Sequence, residues 1–290
     1  MNRVVRASAS GKLILVGEHA VVYGHPALAF AVSQTMDISV YPVEGASRVT
    51  SAFDDPRCTA LLHRLFGAEG AHVEISTALP VGRGMGSSAA LAVAVTRAAH
   101  AWHHPNAAPL TPDEVFQQAL PIETLFHNNP SGLDVAVSAW GGVLKYQRGT
   151  PPILKPLCRP RLSFVVLDTG RVGVTSELVQ HVAAQRPGIN AHLERIGALA
   201  TEAERHLENP VALGEVLTAN QAELRAIGVS TPQIDAYVDL ALQHGAHGAK
   251  LSGAGGGGVV IALTSDPEPL LQAAHQRQIA AWPCSTSEVG

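Results

Sequence analysis

The segment PVGRGMGSSAA, residues 80–90, constrains the fold of this chain more than any other stretch. Three glycines stand at alternate positions, and two serines and two alanines follow them. Glycine lets a backbone adopt a positive φ and approach a ligand closely, at a cost in chain entropy, so the segment is typical of a binding loop. The alternating stretch before it predicts a strand, and the alanine-rich stretch after it predicts a buried helix that Ser87 or Ser88 would cap.

A strand, a glycine loop and a helix N-terminus together predict a cradle for an anion, most naturally the phosphates of a nucleotide. The loop lacks the G-x4-G-K-[ST] pattern of the Walker loop, and its spacing differs from that of the protein kinases. A tight turn packed against its own helix is the alternative interpretation of the same residues.

A second glycine cluster lies in the stretch AKLSGAGGGGVVIALTS. Gly253, Gly255 and Gly258 match the pattern G-x-G-x-x-G, which alone would suggest a dinucleotide-binding fold. That fold places a helix directly after the pattern, whereas the sequence here predicts a strand. We therefore do not expect a dinucleotide site.

Composition and cysteine usage limit the classes of partner. The 290 residues are 46% hydrophobic and 15% charged with a net charge of −4, which predicts a compact protein without a basic surface for nucleic acid or anionic lipid. The sequence contains no stretch of about 18 apolar residues, so we predict no membrane span. Cys58, Cys158 and Cys284 are far apart, which disfavours disulfides and zinc and suits a reducing cytoplasm. We expect a cytoplasmic protein with a small-molecule partner, and neither nucleic acid nor a membrane.

Predicted strands and helices interleave irregularly, which favours an α+β fold over a doubly wound sheet. The stretch TPDEVFQQALPIETLFH predicts a helix with a capping box of Thr111 and Glu114, and a break or kink at Pro121. Further helices are predicted over residues 175–185, 189–207, 211–227 and 232–244. The proline-rich run 148–162 predicts a linker, and with it a boundary between domains 1–150 and 151–290.

Four blocks in this order resemble the GHMP kinase superfamily and, within it, the mevalonate kinase family. They are ASASGKLILVGEHAVVYGHPAL, PVGRGMGSSAA, ETLFHNNPSGLDVAVSAWGG and KLSGAGGGG. GEHAVVYG is more selective than PVGRGMGSSAA, which the whole superfamily shares, and Glu123 precedes Asp134 by eleven residues as in the family. The resemblance covers residues 8–263. It implies an N-terminal α+β domain with a left-handed βαβ-type unit, a C-terminal ferredoxin-like domain and an active site between the two.

The resemblance further implies transfer of a phosphoryl group from ATP to the 5-hydroxyl of mevalonate, with Mg²⁺. Ser88 and Glu123 would hold Mg²⁺, because a hydroxyl and a carboxylate are the hard oxygen ligands that this ion prefers. Asp134 would act as base or orienting group at the reacting hydroxyl, and Lys12 would pair with Asp134 and stabilise the developing charge. The residues implied to bind ATP are Pro80, Gly82, Arg83, Gly84, Met85, Gly86, Ser87 and Ser88.

On the substrate side the resemblance implies His19, Glu18, Ser131, Thr175, Ser252 and Gly253. His19 is equally typical of a structural turn, and Thr175 of an N-cap for the helix 175–185. Arg83 is bulkier than the residues that usually fill its position. We predict that it adds a charge to nucleotide binding, with an arginine directed to solvent as the alternative.

Two other functions remain open from the sequence. The chain could phosphorylate another small alcohol, such as phosphomevalonate, homoserine or a sugar, or it could be a non-catalytic ligand sensor. Retention of Lys12, Ser88, Glu123 and Asp134 together disfavours the sensor. Relatives are commonly homodimers, so a homodimer is one expected assembly beside a monomer.

Overall fold

A computed structural model of the chain describes residues 3–51, 55–127, 130–157, 160–171, 173 and 175–286, and these form two compact units. The first unit comprises the residues up to Gly11, Gln34–Pro80 and Gly86–Trp140. The second comprises Lys12–Ser33, Val81–Met85 and the chain from Gly141 onward. The compact units thus interleave along the chain, and a single domain boundary at residue 150 stays a prediction.

Strands β1 and β2 pass through both units, a short 3-10 helix at Ala20–Tyr23 lies in the second, and the strands and helices from Arg48 to Trp140 lie in the first. The strands are β1 (Val5–Val16), β2 (Pro26–Ala46), β3 (Arg48–Ser51) and β4 (Glu69–Thr77). The helices are α1 (Pro56–Phe66), α2 (Ser87–His103), α3 (Pro112–Glu123) and α4 (Leu133–Trp140).

In the first unit, the C-terminal half of β2 pairs antiparallel with β4, and β3 pairs parallel with β4. A parallel pair needs a crossover connection, which α1 supplies between β3 and β4. Met36, Ile38 and Val40 alternate with less buried residues along β2, so one face of this strand is apolar and packed.

Helix α2 contacts α3 and α4 in the first unit. Its residues Ala89–Thr96 are all buried, as the alanine-rich sequence predicts. The capping box at Thr111 and Glu114 is confirmed at the start of α3. Pro121 lies inside α3 and does not break it, since the helix continues to Glu123; a proline near a helix C-terminus disrupts only the last turn.

The second unit contains a four-stranded antiparallel sheet in the order β10–β7–β9–β8. Its strands are β7 (Ser163–Asp168), β8 (Gly248–Ser252), β9 (Val259–Leu263) and β10 (Ala281–Ser285). Its helices are α5 (Thr175–Ala184), α6 (Asn190–Arg205), α7 (Pro210–Ala226), α8 (Pro232–Gln243) and α9 (Glu268–Gln276). With α5–α8 between β7 and β8, and α9 between β9 and β10, the order is ferredoxin-like.

Residues 148–162 are more ordered than the predicted linker. Within them β6 (Ile153–Pro156) pairs antiparallel with β5 (Val143–Gln147), which in turn pairs with Pro26–Phe30 of β2, all in the second unit. Proline is tolerated there because β6 pairs on one side only in the strand order. The linker prediction is therefore wrong for residues 153–156, and Cys158 lies outside the described residues.

Hydrophobic side chains of β7, β8 and β9 meet those of the helices in one buried cluster of the second unit. Examples from the strands are Val165, Leu167 and Val260, which have no exposed surface. Mixed sheets and helices in both units confirm the α+β fold class. In the described part of the chain, no helix combines the length and the apolar character that crossing a bilayer requires.

Candidate active site

The loop that precedes α2 has a backbone that only glycine adopts easily. Gly82, Gly84 and Gly86 have φ values of 74°, 78° and 71°, in the left-handed region. Left-handed residues alternating with others turn successive backbone N–H groups toward one side, which is the geometry of an anion-binding nest. Gly82 and Gly84 are exposed, and Pro80 is half-buried. The glycines at alternate positions are thus explained by backbone conformation.

Helix α2 begins at Ser87, and its N-cap is Gly86, without a side-chain capping hydrogen bond. The prediction that Ser87 or Ser88 caps this helix is wrong, because both serines already lie inside the first helical turn. The N–H groups of a first turn have no partner within the helix, so this end offers donors and the positive end of the helix dipole to an anion.

The Ser88 hydroxyl lies against a buried carboxylate in the first unit. Its Oγ donates a 2.8 Å hydrogen bond to Oε1 of Glu123, whose side chain is only 3% exposed. Nε2 of His127 is 3.2 Å from Ser88 Oγ and 3.5 Å from Glu123 Oε1. The two residues that the resemblance implies as Mg²⁺ ligands are therefore adjacent, although 35 positions separate them in the chain.

Asp134 is the second residue of helix α4, in its first turn. Gly132, with a φ of 89°, turns the chain into this helix, and Ser131 Oγ accepts a 3.3 Å hydrogen bond from the Leu133 N–H. A carboxylate in a first turn interacts favourably with the positive end of the helix dipole. Asn128 and Asn129, in the block before Asp134, lie outside the described residues.

Lys12 lies in β1 and is only 2% exposed. Its backbone N–H donates a 2.9 Å hydrogen bond to the carbonyl of Met85, and its Nζ donates a 3.0 Å bond to the carbonyl of Gly84. Both bonds join β1 to the glycine loop within the second unit. Met85, at 1% exposure, packs into the interior while the glycines on either side stay at the surface or at the helix start.

The second glycine cluster packs directly on the first one. A Cβ on Gly84 would lie 3.2 Å from the Ser252 carbonyl, and a Cβ on Gly258 would lie 2.9 Å from the Arg83 carbonyl. Gly253 has a φ of 100°, and an ideal Cβ built on it would lie 3.5 Å from the backbone of Gly84. The cluster after β8 therefore needs glycine for backbone-to-backbone packing that supports the loop 82–85.

Glu18 follows β1 and forms a buried ion pair with Lys250 of β8. Its Oε2 accepts a 3.0 Å hydrogen bond from Nδ2 of Asn220. Burial lowers the pKa of Lys250, and the charge of Glu18 and its hydrogen bond oppose this effect. Both carboxylate oxygens of Glu18 thus have protein partners, and its role toward substrate stays a prediction.

His19 has a φ of 58° and is 6% exposed. Its Nε2 lies 2.8 Å from the carbonyl of Ala254, so Nε2 carries the proton and donates it. Burial lowers the pKa of His19 and keeps the ring neutral, while the bond to Ala254 opposes the shift. A neutral ring with Nε2 as donor leaves Nδ1 as its acceptor.

Ser252 and Thr175 have different surroundings. Ser252 Oγ accepts a 2.8 Å hydrogen bond from the Ile14 N–H and lies 3.3 Å from the Ile14 carbonyl, so this hydroxyl ties β8 to β1. Thr175 is exposed and is the first residue of α5 rather than its N-cap, which contradicts the capping alternative. Their roles toward substrate stay predictions.

Arg83 is not directed to solvent. Its Nε lies 3.3 Å from Oδ2 of Asp168 at the end of β7, and its side chain is 23% exposed. Arg83 is predicted from the sequence, whereas Asp168, Lys250, Asn220 and His127 are not. Lys250 could have been noticed as a lysine in the mainly apolar stretch that contains the second glycine cluster. The other three residues have no comparable signal in the sequence.

Models of two protein families match the chain. The GHMP kinases N terminal domain matches residues 53–142, and the GHMP kinases C terminal domain matches residues 197–281. The chain is 33% identical to the mevalonate kinase of Aeropyrum pernix, with 92% of this chain and 91% of that protein covered. It is also 33% identical to the mevalonate kinase of Archaeoglobus fulgidus, with 91% and 93% covered.

Solved structures show the same likeness. L. major mevalonate kinase in complex with R-mevalonate superposes with a TM-score of 0.85 at 25% identity, covering 99% of both chains. The mevalonate kinase of Methanococcus jannaschii superposes with a TM-score of 0.85 at 23% identity, which shows likeness of fold.

Proposed function

The chain belongs to the mevalonate kinase family of the GHMP kinases, and from this premise we infer that it phosphorylates mevalonate with ATP. The observation that carries this proposal is identity of 33% with curated mevalonate kinases over nine-tenths of both chains. In the reaction the 5-hydroxyl oxygen of mevalonate forms a bond to the γ-phosphorus of ATP. The bond from that phosphorus to the β-bridging oxygen breaks, ADP leaves, and the hydroxyl gives up its proton.

Binding of the ATP phosphates is assigned to the glycine loop and the start of α2. Phosphoryl transfer requires positioning and charge stabilisation more than covalent chemistry from the protein. The left-handed glycines Gly82, Gly84 and Gly86 support this assignment because they free backbone N–H groups for an anion. The open first turn of α2, with Ser87 and Ser88, adds further donors.

Ser88 and Glu123 would hold Mg²⁺. Their oxygens are 2.8 Å apart, and a hydroxyl with a carboxylate is a donor set that fits this hard cation. When bound, Mg²⁺ would neutralise charge on the phosphate oxygens. His127, 3.2 Å from Ser88 Oγ, helps to hold the hydroxyl in place.

Asp134 orients the acceptor hydroxyl and receives or passes on its proton. Its place in the first turn of α4 supports this, because the turn built by Gly132 and Ser131 fixes the carboxylate at a helix N-terminus. Lys12 stabilises negative charge on the transferring group. Its support is a buried ammonium whose Nζ bonds to Gly84, in the same loop that is assigned to the phosphates.

The substrate side is assigned to His19, Ser131, Thr175, Gly253 and the segment around Glu18 and Ser252. His19 has the strongest support, because its buried neutral ring is fixed by Ala254 and keeps an acceptor nitrogen for a hydroxyl. Glu18 and Ser252 act at one remove, since their polar atoms bind Lys250, Asn220 and Ile14.

We also propose that the protein is located in the cytoplasm and assembles as a homodimer. Widely spaced cysteines support the first, and burial raises the pKa of the Cys58 thiol to about 11 and of the Cys284 thiol to about 12, so both stay protonated. Family resemblance alone supports the second. Composition supports a small-molecule partner over nucleic acid or a membrane.

The test is release of ADP by the purified protein with Mg²⁺ and ATP against mevalonate, phosphomevalonate, galactose and homoserine. Of these four alcohols, we expect only mevalonate to be phosphorylated. Asp134→Ala should lower kcat by orders of magnitude and leave the Kd for ADP within about twofold, because the residue is assigned to the acceptor. Activity with another alcohol and none with mevalonate would overturn the assignment of mevalonate as the substrate. Nucleotide binding without any turnover would favour a ligand sensor.

A further inference from the structure

Arg83 brings a full positive charge into a loop that otherwise offers only backbone dipoles. The residue stands between Gly82 and Gly84, and its guanidinium turns toward β7 of the second unit. Its Nε lies 3.3 Å from Oδ2 of Asp168. An arginine bound through Nε still has its terminal N–H groups available for a second acceptor.

The carboxylate that holds Arg83 is itself well fixed. Asp168 is the last residue of β7, which pairs with β9 on one side and β10 on the other. Its Oδ1 accepts a 2.8 Å hydrogen bond from the Gly170 N–H, and its side chain is only 13% exposed. One oxygen therefore anchors the carboxylate to its own turn, and the other orients the guanidinium.

One terminal nitrogen of Arg83 lacks an acceptor. Nη1 is buried and has no hydrogen-bond partner in the parts of the chain that the structure describes. Arginine stays protonated in proteins, so Nη1 always carries N–H donors. An unmet donor on a charged group is unfavourable, so the guanidinium gains free energy when it adjusts to reach an acceptor that a ligand supplies.

We propose that Arg83, oriented by Asp168, is an additional donor to the phosphates of the bound nucleotide. A phosphate oxygen is the acceptor that arginine N–H groups match best, in charge and in geometry. The inference rests on the proposed function only to the extent that the glycine loop binds a nucleotide. Asp168 is then a positioning residue, because it acts on the nucleotide through Arg83.

The experiment measures Kd for ADP and for adenosine by displacement of a fluorescent ATP analogue, with Mg²⁺ present and the full chain. Variants are Arg83→Gln, Asp168→Asn and the double substitution. Arg225→Gln is the matched control, because Arg225 forms a 3.0 Å pair with Asp235 in the same unit and is 52% exposed. We expect Arg83→Gln to weaken ADP about tenfold and adenosine less than about twofold, as for loss of one charge-assisted bond.

Coupling between the two residues is read from the double variant. If Asp168 orients Arg83, adding Arg83→Gln to Asp168→Asn should weaken ADP by less than about threefold. Equal effects of Arg83→Gln in both backgrounds would remove the positioning role. An unchanged Kd for ADP in the folded Arg83→Gln protein would overturn the whole inference, as would equal losses for ADP and adenosine.

Two further results keep the outcomes distinct. If Arg83→Gln does not fold, Arg83→Lys replaces it: lysine keeps the charge but lacks the planar fork of donors with which arginine binds Asp168 through Nε and a phosphate through a terminal nitrogen, so about threefold weaker ADP is expected. If the wild type binds ADP and fails to phosphorylate mevalonate, the proposed function falls, and the binding data still decide the role of Arg83.

Discussion

Glu18 and Lys250 form an ion pair in the interior of the second unit, with side-chain exposures of 1% and 0%. Lys250 Nζ also lies 3.4 Å from the carbonyl of Ile14, and Asn220 donates to the second oxygen of Glu18. The pair therefore joins the turn that follows β1 to β8, the strand that leads into the second glycine cluster. Because water does not reach either charge, each depends on the other for compensation.

Removing the acidic partner should be strongly destabilising. We expect Glu18→Gln to lower the free energy of unfolding by about 3–5 kcal/mol, since it leaves the Lys250 ammonium buried without a counter-charge. Urea denaturation followed by circular dichroism measures this. Glu204→Gln is the control, because Glu204 bridges Lys145 and Lys155 while 20% exposed, and its loss should be below about 1 kcal/mol. Similar losses in the two variants would contradict the importance of burial.

Local features of the sequence predicted local structure well. The capping box at Thr111 and Glu114 formed as expected, and the apolar patterns placed helices α6, α7 and α8 within one or two residues of their ends. Each depends on residues a few positions apart. The match of family blocks likewise identified the family, because a block preserves residue order.

Side-chain pairing over long distances could not be read from the sequence in the same way. Ser88 is a residue type typical of a helix N-cap, but Gly86 occupies the N-cap position of α2. The Ser88 hydroxyl instead donates a hydrogen bond to Glu123. Glu18 and Lys250 are 232 positions apart, and only the fold brings them together. The fixed spacing of a motif records which residue types are needed, and tertiary packing decides their partners.

The contact between the Ser88 hydroxyl and the buried Glu123 carboxylate in the first unit gives a prediction about Mg²⁺. We expect Glu123→Gln to lower kcat at least about 100-fold and to raise the Mg²⁺ concentration needed for half-maximal rate, because the amide keeps the shape but loses the charge. Ser88→Ala should raise that Mg²⁺ concentration with a smaller loss of kcat. A titration of Mg²⁺ at saturating ATP and mevalonate measures both.

The control for these variants is Thr124→Ala, since Thr124 directly follows Glu123 in the chain and its exposed hydroxyl donates a hydrogen bond to the Pro121 carbonyl. It should leave the Mg²⁺ requirement within about twofold of wild type. An unchanged Mg²⁺ requirement in Glu123→Gln would show that this pair does not hold the metal.

Packing of the two glycine clusters gives a prediction about nucleotide binding. Gly258→Ala combines a φ of +75° with a Cβ only 2.9 Å from the Arg83 carbonyl, so the loop 82–85 has to shift. We expect a loss of about 2–4 kcal/mol in stability and a raised KM for ATP. Gly45→Ala is the control, because Gly45 has a φ of +82° and open space around its ideal Cβ. It should lose about 1 kcal/mol and keep the KM for ATP. A normal KM for ATP in Gly258→Ala would show that packing of the second glycine cluster does not affect nucleotide binding.

Acid sensitivity should trace in part to His19. Burial lowers the pKa of this ring below its ordinary value of about 6.5, an effect that His181 reinforces and that the Ala254 carbonyl and Glu18 oppose. The unfolded chain therefore takes up a proton near pH 6.5, where the folded protein does not. Stability is unaffected by this site above pH 6.5, and it falls as the pH drops from 6.5 toward the lower pKa of the folded state. One proton contributes at most about 1.4 kcal/mol per pH unit.

His19→Gln removes that titration and keeps a side-chain N–H for the Ala254 carbonyl, so it isolates the proton from the hydrogen bond. We expect the free energy of unfolding of the wild type to fall more steeply than that of His19→Gln between pH 6.5 and 5, and the two curves to run parallel from pH 7 to 8. All other histidines are the same in both proteins, so the difference between the slopes is assigned to His19. Parallel curves throughout would mean that His19 keeps an ordinary pKa in the folded protein, and the neutral ring assigned to the substrate side would lose its basis.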